Sequence, residues 1–513
     1  MCHSMGEILS FISLLFMLFP STLFSQETGK EGVAPDGIRQ KKQEGKAASG
    51  TADEKKAKKG SKVNVDAMAL YGQYNRILWS GSITQSFDAF TYQLNSDFRR
   101  SNDFGYKNSR YYENEIGFTG VADATEKWKL TPEVEVKNDS HGMFRNPFYS
   151  REEKDKVVLK LKNEYTPMPT RWSLNCGGIY FIHRLDSSLY PNELTARPYH
   201  SSDFYKANGE VGWQYIWSAA NKLSFNSKFS HYDYSTRADS DTWISNEFIW
   251  NFNISEFLKL GLGPLYTYNR DRGHFISGKI DVATLNIKYF SANASYLYEL
   301  VPFAPEDYYF NQRYVKPNYS LMPGKGHHAD CNAGIDITNA GSDPFYVKKV
   351  KVKAAGSFVT NDRFYSFFSL PEQVLAPHRM KVKQVRIRGD AAIGFMIYSA
   401  FLELGGKYEY TYSYASEYVT YQPRHLAGGY LRATVWRIEA EFNNAYRSRI
   451  DASPFFSKTI GPALIGSLSL QFKVLDSFYL YGRIDNIYNS KYSTVYGYPE
   501  QGRTIIGGLR IVI

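Results

Sequence analysis

One short stretch of the sequence gathers side chains that could bind a metal ion, at His327, His328, Asp330 and Cys331. Imidazole, carboxylate and thiolate groups are all competent ligands for transition metals. If the stretch is a strand, His328 and Asp330 share one face while His327 and Cys331 share the other, because side chains alternate. No second group of ligands accompanies them, as a closed metal site would require. We therefore favour a polar turn entering a strand, and we predict no metal and no cofactor.

Two further stretches alternate basic with apolar residues and are candidates for the lining of a lumen. The basic candidates are Lys349, Lys351, Lys353, Lys381, Lys383, Arg386 and Arg388. A cationic wall would bias a pore toward anions, and an ordinary polar lining without selectivity is the alternative. A basic side chain facing lipid at the membrane midplane would cost about 2–4 kcal/mol, so these residues are expected to face inward.

Scattered histidines are the other groups that could do chemistry, at His141, His183, His200 and His231. A hydrolase needs a nucleophile and a base within hydrogen-bonding reach of each other. None of these histidines belongs to a recognisable nucleophile motif, so we predict that the chain is not an enzyme.

The elements that must position these residues are strands. Apolar and polar residues alternate in segment after segment from residue 65 onward, for example over 156–162 and 438–446, with Gly, Asn, Asp and Pro between the segments. A soluble β-sandwich could produce a few such segments, but soluble all-β domains seldom run beyond about 250 residues. The pattern therefore predicts an all-β fold, a transmembrane antiparallel β-barrel.

The length of this region predicts how many strands the barrel has. At roughly 20 residues per strand and loop, residues 65–513 would form about 22 strands, or 18–20 if the loops are long. Aromatic residues make up 16% of the chain and suit the interfacial girdles of such a barrel. An unplugged barrel of this size would leak, so in-folded loops, an N-terminal tether or a partner must fill it.

The end of the chain predicts the closing strand. Ile505, Leu509, Ile511 and Ile513 share an apolar face, and Arg510 lies on the other. Period-two alternation predicts that the apolar residues face lipid while Arg510 faces the lumen. A final strand of this kind is expected to pair with the first strand and to leave no open edge.

Several motifs occur in a characteristic order: 98–109, 314–325, 483–492 and 495–503. The last two resemble the "V-x-N-L-F-D-x-x-Y" strand end and the "G-Y-P-x-P-G-R" turn of TonB-dependent outer-membrane receptors. The first two resemble that family's "R-R-S-D-G-Y-R-x-N-S" and "N-P-x-L-K-P-E" segments. The resemblance implies a receptor barrel in the Gram-negative outer membrane.

The chain also departs from the family pattern. Gly324 stands where the family has Glu, Gln501 replaces the second proline, and Ile513 replaces the usual terminal aromatic residue. The family places a globular plug before the barrel, and the polar segment 26–64 is too short to form one. The resemblance therefore implies the barrel alone, without the plug domain.

The N-terminal region has two parts. Residues 1–25 are predicted to be a signal peptide, because 8–24 are apolar and no stop-transfer charges follow. Residues 26–64 are rich in Lys, Gly, Ala and Glu, bury little, and are predicted to be a disordered periplasmic tether. The barrel is predicted to occupy 65–513.

Charge and cysteine content limit the partners. The formal net charge is +10, but the basic residues alternate with apolar ones inside strands, so we predict no nucleic-acid partner. Cys176 and Cys331 could pair in an oxidising compartment, although the sequence does not fix their separation. We favour two small buried thiols on separate strands.

These observations predict transport of a solute across the outer membrane through a passive or partner-gated channel. The expected surroundings are outer-membrane lipid, and the expected partner is a plug-supplying or surface lipoprotein. The alternative function is a non-transporting structural barrel in a larger outer-membrane assembly. Conductance would separate the two functions.

Overall fold

The computed structural model describes residues 62–102, 110–143, 151–186, 200–218, 221–235, 240–285, 287–301, 313–315, 323–339, 341, 343–370, 374–415, 419–453 and 458–513. The predicted signal peptide lies outside these residues, as does the predicted tether apart from 62–64. The first strand begins at Lys62, before the predicted start at residue 65. It begins there because Val63 continues the alternation and pairs with Gln85 of the next strand.

The described residues form strands almost throughout. The strands of the barrel are β1 Lys62–Gly72, β2 Arg76–Ser86, β3 Phe90–Ser101, β4 Tyr111–Thr125, β5 Trp128–Gly142, β6 Arg151–Tyr165, β7 Thr170–Asp186, β8 His200–Ile216, β9 Lys222–Tyr234, β10 Asp241–Ser255, β11 Leu258–Asn269, β12 Gly273–Thr284, β13 Phe290–Val301, β14 Gly324–Thr338, β15 Phe345–Ser369, β16 Leu375–Ile397, β17 Ala400–Ala415, β18 His425–Val435, β19 Ile438–Arg447, β22 Ala463–Leu475, β23 Phe478–Asp485 and β26 Thr504–Val512. Two small hairpins lie in the connections, β20 Ile450–Asp451 with β21 Thr459–Ile460, and β24 Ser493–Val495 with β25 Tyr498–Pro499. A single 3-10 turn, Gln73–Asn75, joins β1 to β2.

The 22 long strands form one closed antiparallel sheet. Each strand pairs with its neighbours, and β26 pairs with β1 from Asp66↔Val512 to Gly72↔Ile506. The close approach of these two strands requires glycine, because a Cβ on Gly508 would collide with the carbonyl oxygen of Ala69. The predicted all-β barrel of about 22 strands is confirmed.

The two faces of the wall differ in polarity. In β26 the outward Ile505 is 49% exposed whereas the inward Thr504 is 1% exposed. The same alternation places Phe248 and Trp250 outward on β10, where both are exposed. An apolar outer face around a polar interior is the pattern of a barrel that sits in a membrane. Among the described residues, none of the helices is long and apolar enough to cross a membrane.

The connections distinguish the two ends of the barrel. At one end, here called the turn end, two-residue turns join β4 to β5 and β16 to β17. At the other, the loop end, long connections span 302–323, 448–462 and 486–503. Outer-membrane barrels have short periplasmic turns and long extracellular loops, so the loop end is the outer end.

Candidate functional site: the lumen and its outer mouth

The lumen wall carries a ladder of opposite charges across β3 to β6. Arg99 lies 3.4 Å from Glu113, and the Nζ of Lys137 lies 3.3 Å from the same carboxylate. On the next strands, Lys156 Nζ lies 3.0 Å from Glu135. These pairs are partly exposed, so each contributes little to stability. Their collective effect is a charged, hydrophilic wall that needs water beside it.

The predicted basic residues of β15 also lie on the inner face and have acidic neighbours. Lys349 Nζ is 3.4 Å from Glu403 on β17, and Lys351 Nζ is 3.8 Å from Asp336 on β14. Lys353 lies directly opposite Asp390 in the register of β15 and β16. This part of the wall is therefore charged but locally compensated.

Arg386 and Arg388 of β16 share that inner face. Arg386 Nε lies 3.3 Å from Glu409, and Arg388 Nε lies 3.0 Å from Asp390. Because the described acids neutralise much of this basic stripe, its geometry favours a mixed polar lining over a purely cationic wall.

Two of the predicted lumen residues lie on the other face. Lys381 and Lys383 occupy odd positions of β16, and they share the outward face with Val385 and Ile387, which are both exposed. The register between β16 and β17 runs without a bulge from Val382 to Ile397, so side-chain direction cannot change between Lys383 and Arg386. The prediction that Lys381 and Lys383 line the lumen is wrong.

The metal candidates are separated by the wall of the barrel. His327 faces outward, where the Tyr296 hydroxyl lies 2.7 Å from its Nδ1 and the Tyr298 ring stacks at 4.2 Å. His328 and Asp330 are on the inward-facing set of β14, and His328 Nε2 lies 3.8 Å from Glu299. Within the described ranges, no three metal-ligating side chains converge.

The cysteines do not pair. Cys176 on β7 and Cys331 on β14 are both free. They are exposed, and not buried as predicted. Alternation places each thiol among the outward-facing residues of its strand, which explains the difference.

The outer mouth is organised around one buried carboxylate, Glu152, at the loop end of β6. Its Oε1 lies 2.9 Å from His183 Nε2 and 3.2 Å from Lys154 Nζ. The main-chain N–H groups of Tyr314 and Val315 donate to the same carboxylate, at 2.5 Å and 3.1 Å. Glu152 is 1% exposed. A buried carboxylate of this kind requires several donors, and here the wall and a connecting segment supply them together.

The segment 313–315 therefore lies fastened inside the mouth, between β13 and β14 in the sequence. On its far side, Val315 forms a parallel bridge with Leu375. The Leu375 N–H donates to the carbonyl oxygen of Tyr314 at 2.7 Å. The Tyr314 ring stacks on Tyr498 of β25, with centroids 3.7 Å apart. The segment thus joins wall strand β6 to the start of wall strand β16 and to the connection 486–503.

A buried apolar cluster surrounds this segment. It includes Phe181, Phe204, Trp243, Val315 and Tyr498, which come from strands and from connections. The Tyr496 N–H donates to the Tyr421 hydroxyl at 3.4 Å, which links the connection 486–503 to the one between β17 and β18. In-folded connections are one of the predicted ways to fill the lumen, and the described segments pack against one another and against the wall at its outer mouth.

Burial also sets the ionisation of one tyrosine in these connections. It raises the pKa of Tyr492 to about 12, with Glu500 adding to the rise. Tyr492 is therefore neutral at any physiological pH.

Some residues of the outer mouth can be singled out from the sequence, but their contacts in the structure cannot. His183 and His141 are candidates for catalysis by residue type, but in the structure His183 contacts Glu152 and His141 contacts Asp139. His231 Nδ1 lies 3.0 Å from the Thr242 hydroxyl, and the side chain of His200 lies outside the described residues. Tyr314 begins the motif 314–325, and that motif does not indicate a contact with the barrel wall. No local signal identified Glu152 as the partner of that motif.

Comparison with known proteins identifies the architecture. No protein-family model matches the chain, and no curated protein matches it. Among solved structures, the copper transporter OprC superposes with a TM-score of 0.65 at 12% identity, covering 88% of this chain and 80% of that one. The siderophore receptor PirA from Acinetobacter baumannii gives 0.65 at 9% identity, covering 90% and 81%.

A third structure agrees with these two. The FrpB iron transporter from Neisseria meningitidis, F5-1 variant, gives a TM-score of 0.66 at 8% identity, covering 88% of this chain and 82% of that one. The fold is that of the TonB-dependent receptor barrel, as the motifs implied. At such low identity the likeness shows the fold alone, and none of the three is named as an enzyme.

Proposed function

We propose that this chain is an outer-membrane transport barrel that conducts a solute through its lumen, as a passive or partner-gated channel. The observation that carries the proposal is the charged lining inside the closed ring of 22 strands. A ring of that size encloses a wide lumen. Partly exposed charges along its wall, from Lys162 near the turn end to Arg99 near the loop end, need water beside them.

The outer mouth supports control of that path. Segment 313–315 is held by hydrogen bonds to one carboxylate, by an isolated bridge to Leu375 and by one ring stack, and not by a continuous strand pairing. Such a contact can be released by a change at a few atoms. We propose that a plug-supplying or surface lipoprotein partner acts at this barrel in the Gram-negative outer membrane.

Planar-bilayer conductance tests the proposal. We expect the purified full-length chain to give discrete conductance steps. Glu152→Gln should enlarge them, because the neutral amide cannot compensate Lys154 and accepts weaker hydrogen bonds from segment 313–315. Glu153→Gln is the matched control, since this neighbouring carboxylate lies on the opposite face of β6 and should leave conductance unchanged.

The same measurement can favour the alternative function, a non-transporting structural barrel. If neither the wild type nor Glu152→Gln conducts ions, a passive channel is refuted. Silence that persists after a co-purified partner is added refutes the partner-gated channel as well. Stable co-purification with other outer-membrane proteins, together with that silence, would then establish a structural subunit.

A further inference from the structure

Within the described residues, ladder pairing stops short between β12 and β13, although both strands continue. These strands pair only from Lys279↔Leu297 to Ala283↔Asn293. On their other sides, β12 pairs with β11 and β13 pairs with β14 along their full lengths. Residues 275–278 and 298–301, all of them described, therefore face each other without ladder pairing. We call these two stretches the seam.

Side chains cross the wall at the seam. Phe275 belongs to the inward-facing set of β12, with Ser277 and Lys279. Its ring nevertheless contacts Tyr298 at 5.0 Å, edge to face, and the Nζ of Lys325 lies 5.2 Å from its centroid. Tyr298 and Lys325 belong to the outward set of β13 and β14. An inward residue can touch two outward ones only where the strands have separated.

Leu300 shows the same displacement from the other strand. It lies opposite Lys325 in the register, so alternation would place it outward. It is 2% exposed and belongs to the apolar cluster of the mouth, against which Phe275 also packs. The seam is thus closed by apolar side chains in place of backbone hydrogen bonds.

The seam lies at the level of the outer leaflet. β12 runs from Thr284 at the turn end to Gly273 at the loop end, and a membrane strand needs about 9–11 residues. Ile276, beside Phe275, points outward and is 75% exposed. Open sheet edges are not tolerated in hydrocarbon unless they line a water-filled cavity. The unpaired edges therefore indicate a route between lumen and lipid.

The width of the seam excludes an inserted strand. An added strand would have to lie about 4.8 Å from each edge, but the Phe275 and Tyr298 rings already meet across the space. A flexible hydrocarbon chain is narrower and can pass where one aromatic ring turns aside. The seam therefore fits an alkyl chain and not a protein partner.

The lumen directly inside the seam is polar and predominantly acidic. Lys279 Nζ lies 3.3 Å from Glu247 and 3.4 Å from Asp281. Glu299, on the inward set of β13, lies 3.8 Å from His328. Three carboxylates face Lys279 and His328, and Lys325 beside Phe275 adds a second lysine. The carboxylates still outnumber the lysines, and this balance favours a cationic head group over an anionic one.

We propose that the seam is a lateral portal between the lumen and the outer leaflet. Through it the barrel exchanges an amphiphile that has a cationic head group and an alkyl chain, and the Phe275 side chain blocks the portal when it is closed. The proposal rests on the transport role and names the class of molecule carried. A barrel that conducts ions but takes no amphiphile at the seam would keep the transport role and refute the portal.

Hydrogen exchange tests the seam itself. In the full chain in nanodiscs, the amides of 275–278 and 298–301 that point into the gap should exchange about tenfold or more faster than those of 279–283, because they lack ladder partners. Equal protection of the two stretches would show a continuous wall and overturn the proposal.

Photolabelling tests the occupant. The probe is a dodecylammonium that carries a diazirine on its chain, compared with the matching carboxylate. A short bis-maleimide that joins Ile276→Cys to Tyr298→Cys, two outward-set positions on opposite edges of the seam, locks the seam in a background with Cys176→Ser and Cys331→Ser, and the same reagent is used for the control. Ile280→Cys with Tyr296→Cys is the control lock, because these residues already face each other in the paired half.

We expect the ammonium probe to label Phe275 more than the carboxylate probe does. The seam lock should abolish that labelling, the control lock should preserve it, and Phe275→Ala should increase labelling of inward residues near Lys279. Equal labelling by the two probes, or labelling that persists in the seam-locked protein, would refute the portal.

Discussion

Glu152 and Tyr314 lie 162 positions apart in the sequence, yet the Tyr314 N–H donates to Glu152 Oε2 at 2.5 Å. This hydrogen bond fixes a connecting segment to the inner wall at the outer mouth. Because His183 and Lys154 contact the same carboxylate, the bond belongs to a buried charged network. Removing one member of such a network lowers the free energy of unfolding by more than the contribution of a single hydrogen bond.

Replacing Glu152 should therefore release the segment. Glu152→Gln leaves Lys154 without charge compensation from this group, and loss of a buried partner typically costs about 3–5 kcal/mol. We expect trypsin to cleave the native, detergent-solubilised variant after Arg313 much faster than the wild type. Glu153→Gln should behave as wild type, since Glu153 lies on the opposite face of β6 and is partly exposed. Equal cleavage of all three proteins would show that Glu152 does not hold the segment.

The stack of Tyr314 on Tyr498 should make a separate contribution. Aromatic pairs add about 0.5–1.5 kcal/mol beyond the area they bury. A double-mutant cycle with Tyr314→Ala and Tyr498→Ala, read as free energy of unfolding in urea from lipid vesicles, should give a coupling energy of that size. Additive effects of the two substitutions would mean that the rings stabilise the mouth independently of each other.

The fold could be predicted because a barrel follows from local information. Alternation within each segment identifies the strands, and their number follows from length, so 22 strands closed by β26 on β1 required no long-range knowledge. The same alternation, applied strictly, predicts that Lys381 and Lys383 face outward. Both occupy odd positions of β16 whereas Arg386 and Arg388 occupy even ones, and grouping the four by charge ignored that parity.

The mouth and the seam could not be predicted in this way. Glu152 and Tyr314 meet because two distant connections fold inward, and no residue near either one encodes the other. The seam depends on where ladder pairing between β12 and β13 stops, and both strands continue to alternate beyond that point. Pairing across strands is a property of the closed sheet, and a single strand does not carry it.

Ion selectivity should respond to the inner face only. Lys349 lies 3.4 Å from Glu403, so Lys349→Gln exposes the lumen to an uncompensated carboxylate and should shift the reversal potential toward cations. Lys383→Gln removes the same charge from the outward face and should leave the reversal potential unchanged. The measurement is the zero-current potential across a salt gradient. Equal shifts for both variants would contradict the assignment of the two faces.

The closing strand offers the sharpest test of the membrane barrel itself. Leu509 faces outward and is exposed, whereas Arg510 faces inward, with Nη2 at 2.7 Å from Asp66 and Nη1 at 3.3 Å from Gln471. Leu509→Arg places a charge against lipid and should cost about 2–4 kcal/mol near the midplane.

Arg510→Leu removes one partly exposed ion pair, and such pairs contribute about 0–1 kcal/mol, so assembly should continue. The fraction of each variant that becomes heat-modifiable on unboiled gels measures assembly. We expect Leu509→Arg to fall far below Arg510→Leu. Because the two positions are adjacent and the substitutions exchange the same residue types, general damage to the strand would lower both equally. A reversed order would place Arg510 toward lipid and refute the register in which β26 closes on β1.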